Sequence, residues 1–137
     1  MAVSENVKPV ERHYEAFNRG DRDGLLEPFD PEIVFVEEPD VRPDAGTHTG
    51  IDQVRAFFAA MFEGSAEIAA EPLEWIEQDD KVIVPMRLYG RFRHTGIEGE
   101  ACFVHVWTVR DGRITHLHLY TDKEQALAAV GLPSPRG

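Results

Sequence analysis

The stretch "ACFVHVWTVRDGRITHLHLYT", Ala101 to Thr121, places two runs rich in β-branched and aromatic residues on either side of Arg110-Asp111-Gly112. Such runs around a turn sequence read as the two strands of a hairpin. Which side chains share a face then depends on the turn. If Arg110, Asp111 and Gly112 form a three-residue loop with Gly112 in the left-handed bulge position, Val109 pairs with Arg113. His105 then shares a face with Leu117 and Leu119. Phe103, His105, Trp107, Leu117 and Leu119 become an apolar wall with one polar group, the composition of a small-molecule pocket. A two-residue turn at Asp111 and Gly112 would instead align His105 with His116 and His118. The first register is preferred. The second makes a three-histidine metal site thinkable, but zinc needs a full ligand set with an ordered surround. No metal is expected, and His116 and His118 read as an exposed or subunit-interface pair.

Working outward, "KVIVPMRLYGRFR" and "LEWIEQ" read as two more strands, joined through "DD" and "HTGIEGE" turns. Ile33 to Glu38, in "IVFVEEPDV", is a further strand, followed by the loop "PDVRPDAGTHTG". Val7, Val10, Tyr14 and Phe17 recur at three- and four-residue steps, which predicts an amphipathic first helix. Gly20 can stop it, and Asp21 can cap the short element "DRDGLLEPF". A second helix, "IDQVRAFFAAMF", carries Val54, Phe57, Phe58, Met61 and Phe62 as a broad stripe. "EGSAEIAAEP" is then a connection. Asp122 caps a closing helix, "KEQALAAV", which Gly131 ends, and 132–137 is read as a frayed tail. Helices first and a strand meander afterwards describe an α+β layer within one domain, 1–137.

The totals set limits. The chain has 137 residues, and its 25 acids against 14 Lys and Arg give a formal charge of −11, which repels phosphate backbones and anionic lipids. No nucleic-acid partner is expected. No segment has the ~18 apolar residues that a membrane span needs. "MAVSENVKPVERHY" lacks the pattern of a secretory signal, so a cytoplasmic location is expected. Cys102, the single cysteine, reads as a buried inert thiol inside its apolar run. Nucleotide fingerprints and nucleophile elbows are absent, so no cofactor is expected.

With "YEAFNRGD" early, "GIDQVRAFF" in the middle and "VRDGRI" late, the chain resembles the ketosteroid-isomerase-like and SnoaL-like (polyketide cyclase-like) branch of the NTF2-like superfamily. The resemblance covers nearly the whole chain. It implies a cone-shaped, cystatin-like fold in which a curved antiparallel sheet is wrapped by N-terminal helices around a pocket. Alternation separates Val34, Val36 and Glu38 from Ile33, Phe35 and Glu37, and since both faces are apolar, periodicity does not choose between them. The resemblance does. Ketosteroid isomerases carry a catalytic acid just before a proline at a similar strand end, so Glu38 in "EEP" is expected to point inward as general base and Glu37 outward. Tyr14 matches the family's oxyanion-binding tyrosine. The family's protonated aspartic acid falls on or beside His105, a departure that makes the second donor an imidazole.

The implied function is cofactor-free proton transfer within a small apolar carbonyl compound, by isomerisation, cyclisation or dehydration, with Glu38, Tyr14 and His105 catalytic. Phe57, Phe58, Met61, Trp107, Leu117 and Leu119 would shape the pocket. His48 in "GTHTG" is a loop residue or, as in some family dehydratases, a partner to a histidine on the sheet. Arg87 and Tyr89 either line the pocket or face water. The alternative is a binding module without chemistry, in which Tyr14 and His105 are core residues and Glu38 an exposed strand-end acid. Epoxide hydrolysis ranks lower, because Leu119 stands where an inward acid is wanted. The row Val82, Val84, Met86 and Leu88 reads as an apolar outer face, through which a homodimer is expected.

Overall fold

Val7, Val10, Tyr14 and Phe17 lie on one side of the first helix, α1 (Val7–Asn18), and all four are buried. This is a computed structural model, and it describes residues 5–132. Pro9 sits in the first turn of α1, where a missing N–H costs nothing. Gly20, at φ +72°, ends the helix, and the Asp21 carboxylate accepts the Gly24 N–H at 2.9 Å to start a single 3₁₀ turn, Gly24–Leu26.

The strands are β1 (Phe29–Glu37), β2 (Thr47–Thr49), β3 (Ser65–Pro72), β4 (Ile76–Gln78), β5 (Lys81–Phe92), β6 (Glu98–Arg110) and β7 (Arg113–Tyr120), with α2 (Ile51–Gly64) between β2 and β3 and α3 (Lys123–Ala129) after β7. They form one sheet in the order β2-β1-β7-β6-β5-β3, with β4 pairing beside β5. The α+β cone is therefore present, but its sheet is mixed: β1 runs parallel to β7, and the remaining pairs are antiparallel. A parallel neighbour needs a long crossover, which everything from β2 to β6 supplies. Two segments differ from the sequence expectation. Ser65–Pro72, read as a connection, is a strand paired along β5, because that partner offers ladder bonds to an Ala- and Glu-rich run of low intrinsic strand preference. The strand expected over "LEWIEQ" shrinks to Ile76–Gln78.

The hairpin between β6 and β7 reaches the expected face by a different route. Arg110 pairs with Arg113, so the turn is the two-residue one, with Asp111 at φ 53° and Gly112 at φ 76°. Positive φ at both positions is the type I′ geometry that suits strand twist. A bulge then shifts the register: Val109 pairs with Ile114, but Thr108 pairs with His116. One extra residue in β7 restores the parity that the turn alone would have reversed. His105 consequently pairs with Leu119 and Trp107 with Leu117.

The two faces of β5 are the reverse of the expectation. Val82, Val84 and Met86 are buried in the main core with Phe58, Trp107 and Leu117, so this row is internal and gives no support to a dimer through it. The outer face buries Ile83, Val104, Val106 and Tyr120 under Ala126 and Leu127 of α3. That helix is capped as expected, with Asp122 accepting the Glu124 N–H at 3.2 Å, and it closes at Gly131 (φ +79°) with the Leu132 N–H on Leu127 O at 2.9 Å. Leu132 is thus held, while the rest of the expected tail, 133–137, lies outside the described residues. Cys102 is exposed rather than buried, because it faces outward opposite Arg87.

Candidate functional site

Between α1, α2 and the inner sheet face lies an interior cavity of about 50 Å³. His13, Tyr14 and Phe17 line it from α1, and Phe57, Phe58 and Met61 from α2. Phe35 (β1), Met86 and Leu88 (β5), Phe103 and His105 (β6), and Leu117 and Leu119 (β7) complete the sheet side with Ala70. Met61, Leu88 and Phe103 also border an open cleft of about 470 Å³ between the end of α2 and the far ends of β3, β5 and β6. Gly64, Gly99 and Ala101 put little or no side chain there, which keeps the cleft open.

Tyr14 and His105 do meet. Tyr14 Oη lies 2.6 Å from His105 Nδ1, and Trp107 Nε1–H donates to the same oxygen at 3.1 Å. Tyr14 therefore has one donor aimed at it and one proton to give. Donating that proton to Nδ1 satisfies it, whereas the reverse assignment leaves a buried hydroxyl proton unused, at a cost of about 1–3 kcal/mol. His105 then carries its own proton on Nε2. Burial, with a smaller contribution from His13, holds the His105 imidazole down at about 3, so it is neutral at pH 7. Burial likewise raises the Tyr14 hydroxyl well above its ordinary value, with the Trp107 bond pulling the other way. Trp107, expected in the pocket wall, is fully buried behind Tyr14 and acts by holding its hydroxyl.

The strand-end acids are exchanged relative to expectation. Ile33, Phe35 and Glu37 are the buried face of β1, and Glu37 is 4% exposed. Its carboxylate accepts Arg42 Nε–H and Nη2–H, both at 2.8 Å, and lies 3.1 Å from His48 Nε2. Burial alone would raise the Glu37 carboxyl, but the Arg42 and His48 bonds and the Arg42 charge outweigh it and hold it below its usual range. Glu38 lies on the opposite face, 2.7 Å from His118 Nε2, with His118 stacked on Tyr120. Neither acid lines the cavity itself, but Glu37 is on the internal face of β1 and Glu38 is not. The sequence showed apolar residues on both faces of this strand, and the pairing of Phe35 with Leu117 and of Glu37 with Leu119 settled which face was internal.

His48 sits in β2 opposite Phe35, and its ring packs 5.0 Å from Phe57. Arg87 does not line the interior cavity: it faces outward and is bound to Glu71 across the β3–β5 pair. Tyr89 also points outward, near the Arg87 guanidinium, and is 46% exposed at the cleft rim. His13 escaped the sequence reading. It is 3% exposed, and its Nδ1–H donates to Leu25 O at 2.8 Å. Burial lowers its imidazole to about 4 against that bond. Its position three residues after Val10 on the apolar stripe was the available signal. No group of His, Cys, Asp and Glu among the described residues is arranged to hold a metal ion.

The architecture has solved counterparts. An NTF2-like protein from Burkholderia pseudomallei is 27% identical, covers 94% of this chain and 99% of its own, and superposes with a TM-score of 0.76. TerC, co-crystallised with polyporic acid, is 26% identical over 93% of this chain and 98% of its own, with a TM-score of 0.75. A SnoaL-like polyketide cyclase from Jannaschia, at 24% identity, shares the fold over 98% of this chain and 99% of its own with a TM-score of 0.72. The curated proteins contain no match. The SnoaL-like domain family matches residues 10–117, most of the sheet and both N-terminal helices. The chain belongs to the SnoaL-like domain family.

Proposed function

We propose that the protein is a cofactor-free enzyme that moves a proton within a small apolar carbonyl compound, by isomerisation, cyclisation or dehydration. The observation that carries this reading is the chain Trp107 N–H, Tyr14 O–H, His105, which ends in a mostly apolar cavity. Its free end is a neutral Nε2–H. Such a donor stabilises the charge that develops on a carbonyl oxygen as a neighbouring carbon loses its proton. The ligand body would occupy the cleft, with its carbonyl passing Met61 and Phe103 to reach His105.

Glu37 is the best candidate for the proton acceptor. It shares a rung with His105 through Leu119, two strand spacings away, or about 10 Å. While Arg42 holds it, Glu37 is a weak base. Arg42 lies on the half-exposed loop 38–46, and a ligand that displaces its guanidinium would leave only His48 working against burial, raising the basicity of Glu37. One observation favours the second reading, a binding module: the cavity of about 50 Å³ admits only part of a ligand.

The test is deuterium wash-in. Enolisable aryl ketones such as 1-tetralone are incubated with the protein in D₂O, with polyporic acid as a first binding probe, and the α-proton is followed by NMR. Wild type should exchange it above the buffer rate. Glu37→Gln should lower the exchange by about 10²-fold or more, and Glu38→Gln should leave it unchanged. Binding without exchange would establish the module instead, and loss of exchange only in Glu38→Gln would refute the assignment of Glu37.

A further inference from the structure

The interior cavity has a second polar residue that the proposed reaction does not use. His13 lines it from the side of α1, and its Nδ1–H is committed to Leu25 O. The only polar atom it can present to the cavity is therefore Nε2, and in the neutral ring that atom bears a lone pair and no proton. The ring is also fixed in place. It stacks on Phe29 at 5.1 Å and packs against Trp107 at 4.9 Å and Phe58 at 5.6 Å. Turning it over would give up the Leu25 bond inside an aromatic cage. His105 is the opposite case: its Nδ1 faces Tyr14, so it presents a donor.

We infer that His13 is a specificity-determining residue, whose Nε2 accepts a hydrogen bond from a hydroxyl group on the same ligand whose carbonyl oxygen takes the His105 Nε2–H. The inference rests on the proposed function for the placement of the carbonyl. It adds that the cavity reads one acceptor and one donor on a neutral frame, so the ligand class is a hydroxyl-bearing ketone rather than a plain ketone or a carboxylate. Burial keeps both imidazoles neutral at pH 7, so they offer an anion no charge. A buried acceptor left without a donor also penalises the analogue that lacks the hydroxyl.

The experiment compares 1-tetralone with its 5-, 6- and 7-hydroxy derivatives by calorimetric or fluorescence titration of the full chain. At least one hydroxy derivative should bind wild type roughly fivefold more tightly than the parent. In His13→Asn, whose amide N–H replaces Nδ1–H toward Leu25 O but offers nothing at the Nε2 position, that ratio should fall to about one. A ratio of one in wild type, or one that persists in His13→Asn, overturns the inference while leaving the carbonyl site standing. If neither the parent nor any derivative binds wild type, the proposed function fails and this inference with it. Should His13→Asn not fold, ¹⁵N NMR of histidine-labelled wild type decides. The His13 Nε2 resonance should move with the hydroxy compound and not with the parent, and an unmoved resonance overturns the inference.

Discussion

His13 and His105 both pack against Trp107 and line the same cavity, and burial keeps both neutral. This has a consequence for stability. In the unfolded chain each imidazole titrates near 6.5, whereas in the fold His13 is lowered to about 4 and His105 to about 3. Between those values the unfolded state binds protons that the native state refuses, so stability falls as pH drops from about 6.5 towards 4. Each group contributes up to about 1.4 kcal/mol per pH unit in that window. Glu37 and Asp80, whose carboxyls are lowered in the fold, lose their stabilising contributions only below the ordinary carboxylate range. Urea unfolding at pH 7 and pH 5 should therefore show a drop of a few kcal/mol, with roughly half of that slope removed in His13→Asn. Equal stability at the two pH values would mean that the imidazoles are not held neutral.

At the scale of the element, the β6–β7 hairpin decides the site. Its two-residue turn and the β7 bulge act together, and either alone would send His105 to the outer face with His116 and His118. Gly112 at φ +76° has open space around it, so a methyl group there meets no atom and acts only through backbone strain. Gly112→Ala is expected to cost about 1 kcal/mol or more, since alanine resists positive φ. A matching fall in the denaturation midpoint, with the slope unchanged, would confirm that the turn rather than packing is responsible. This hairpin also shows how far the residues speak for themselves. The strands and the Asp111-Gly112 turn signal were legible, but the bulge at Thr115 was not, because nothing in "RITHLHLYT" marks where the ladder slips.

For the whole molecule, ligand access depends on how little side chain the sheet carries at its open end. A Cβ at Gly90 would meet Glu67 O at 2.6 Å, so this glycine permits the close approach of β3 to β5. A Cβ at Gly99 would meet nothing within 4 Å, and this residue borders the 470 Å³ cleft. Gly99→Leu should therefore leave the thermal midpoint unchanged or slightly raised, as glycine in a strand costs stability. It should weaken binding of any tetralone-sized ligand by tenfold or more. Unchanged binding in a folded Gly99→Leu would show that ligands do not pass through this cleft. Loss of the midpoint would show instead that the position is structural.

The sequence by itself determined the helical stripes, the β5, β6 and β7 strands, the caps at Asp21 and Asp122 and the stop at Gly20. Each is a local matter of periodicity or backbone preference, and together with three family-like stretches they pointed to the fold. The stripes and the family resemblance also pointed Tyr14, Phe57, Phe58, Met61, Leu117 and Leu119 to one cavity, whereas His105 joins them only through the β7 bulge. The tertiary structure decided the facing of residues whose strands are apolar on both sides. Glu37 rather than Glu38 is internal because β1 pairs with β7 beneath α2, and Val82, Val84 and Met86 are internal because the other face of β5 is covered by α3. Period-two alternation says which residues share a face. Only the layers packed against the sheet say which face is inside.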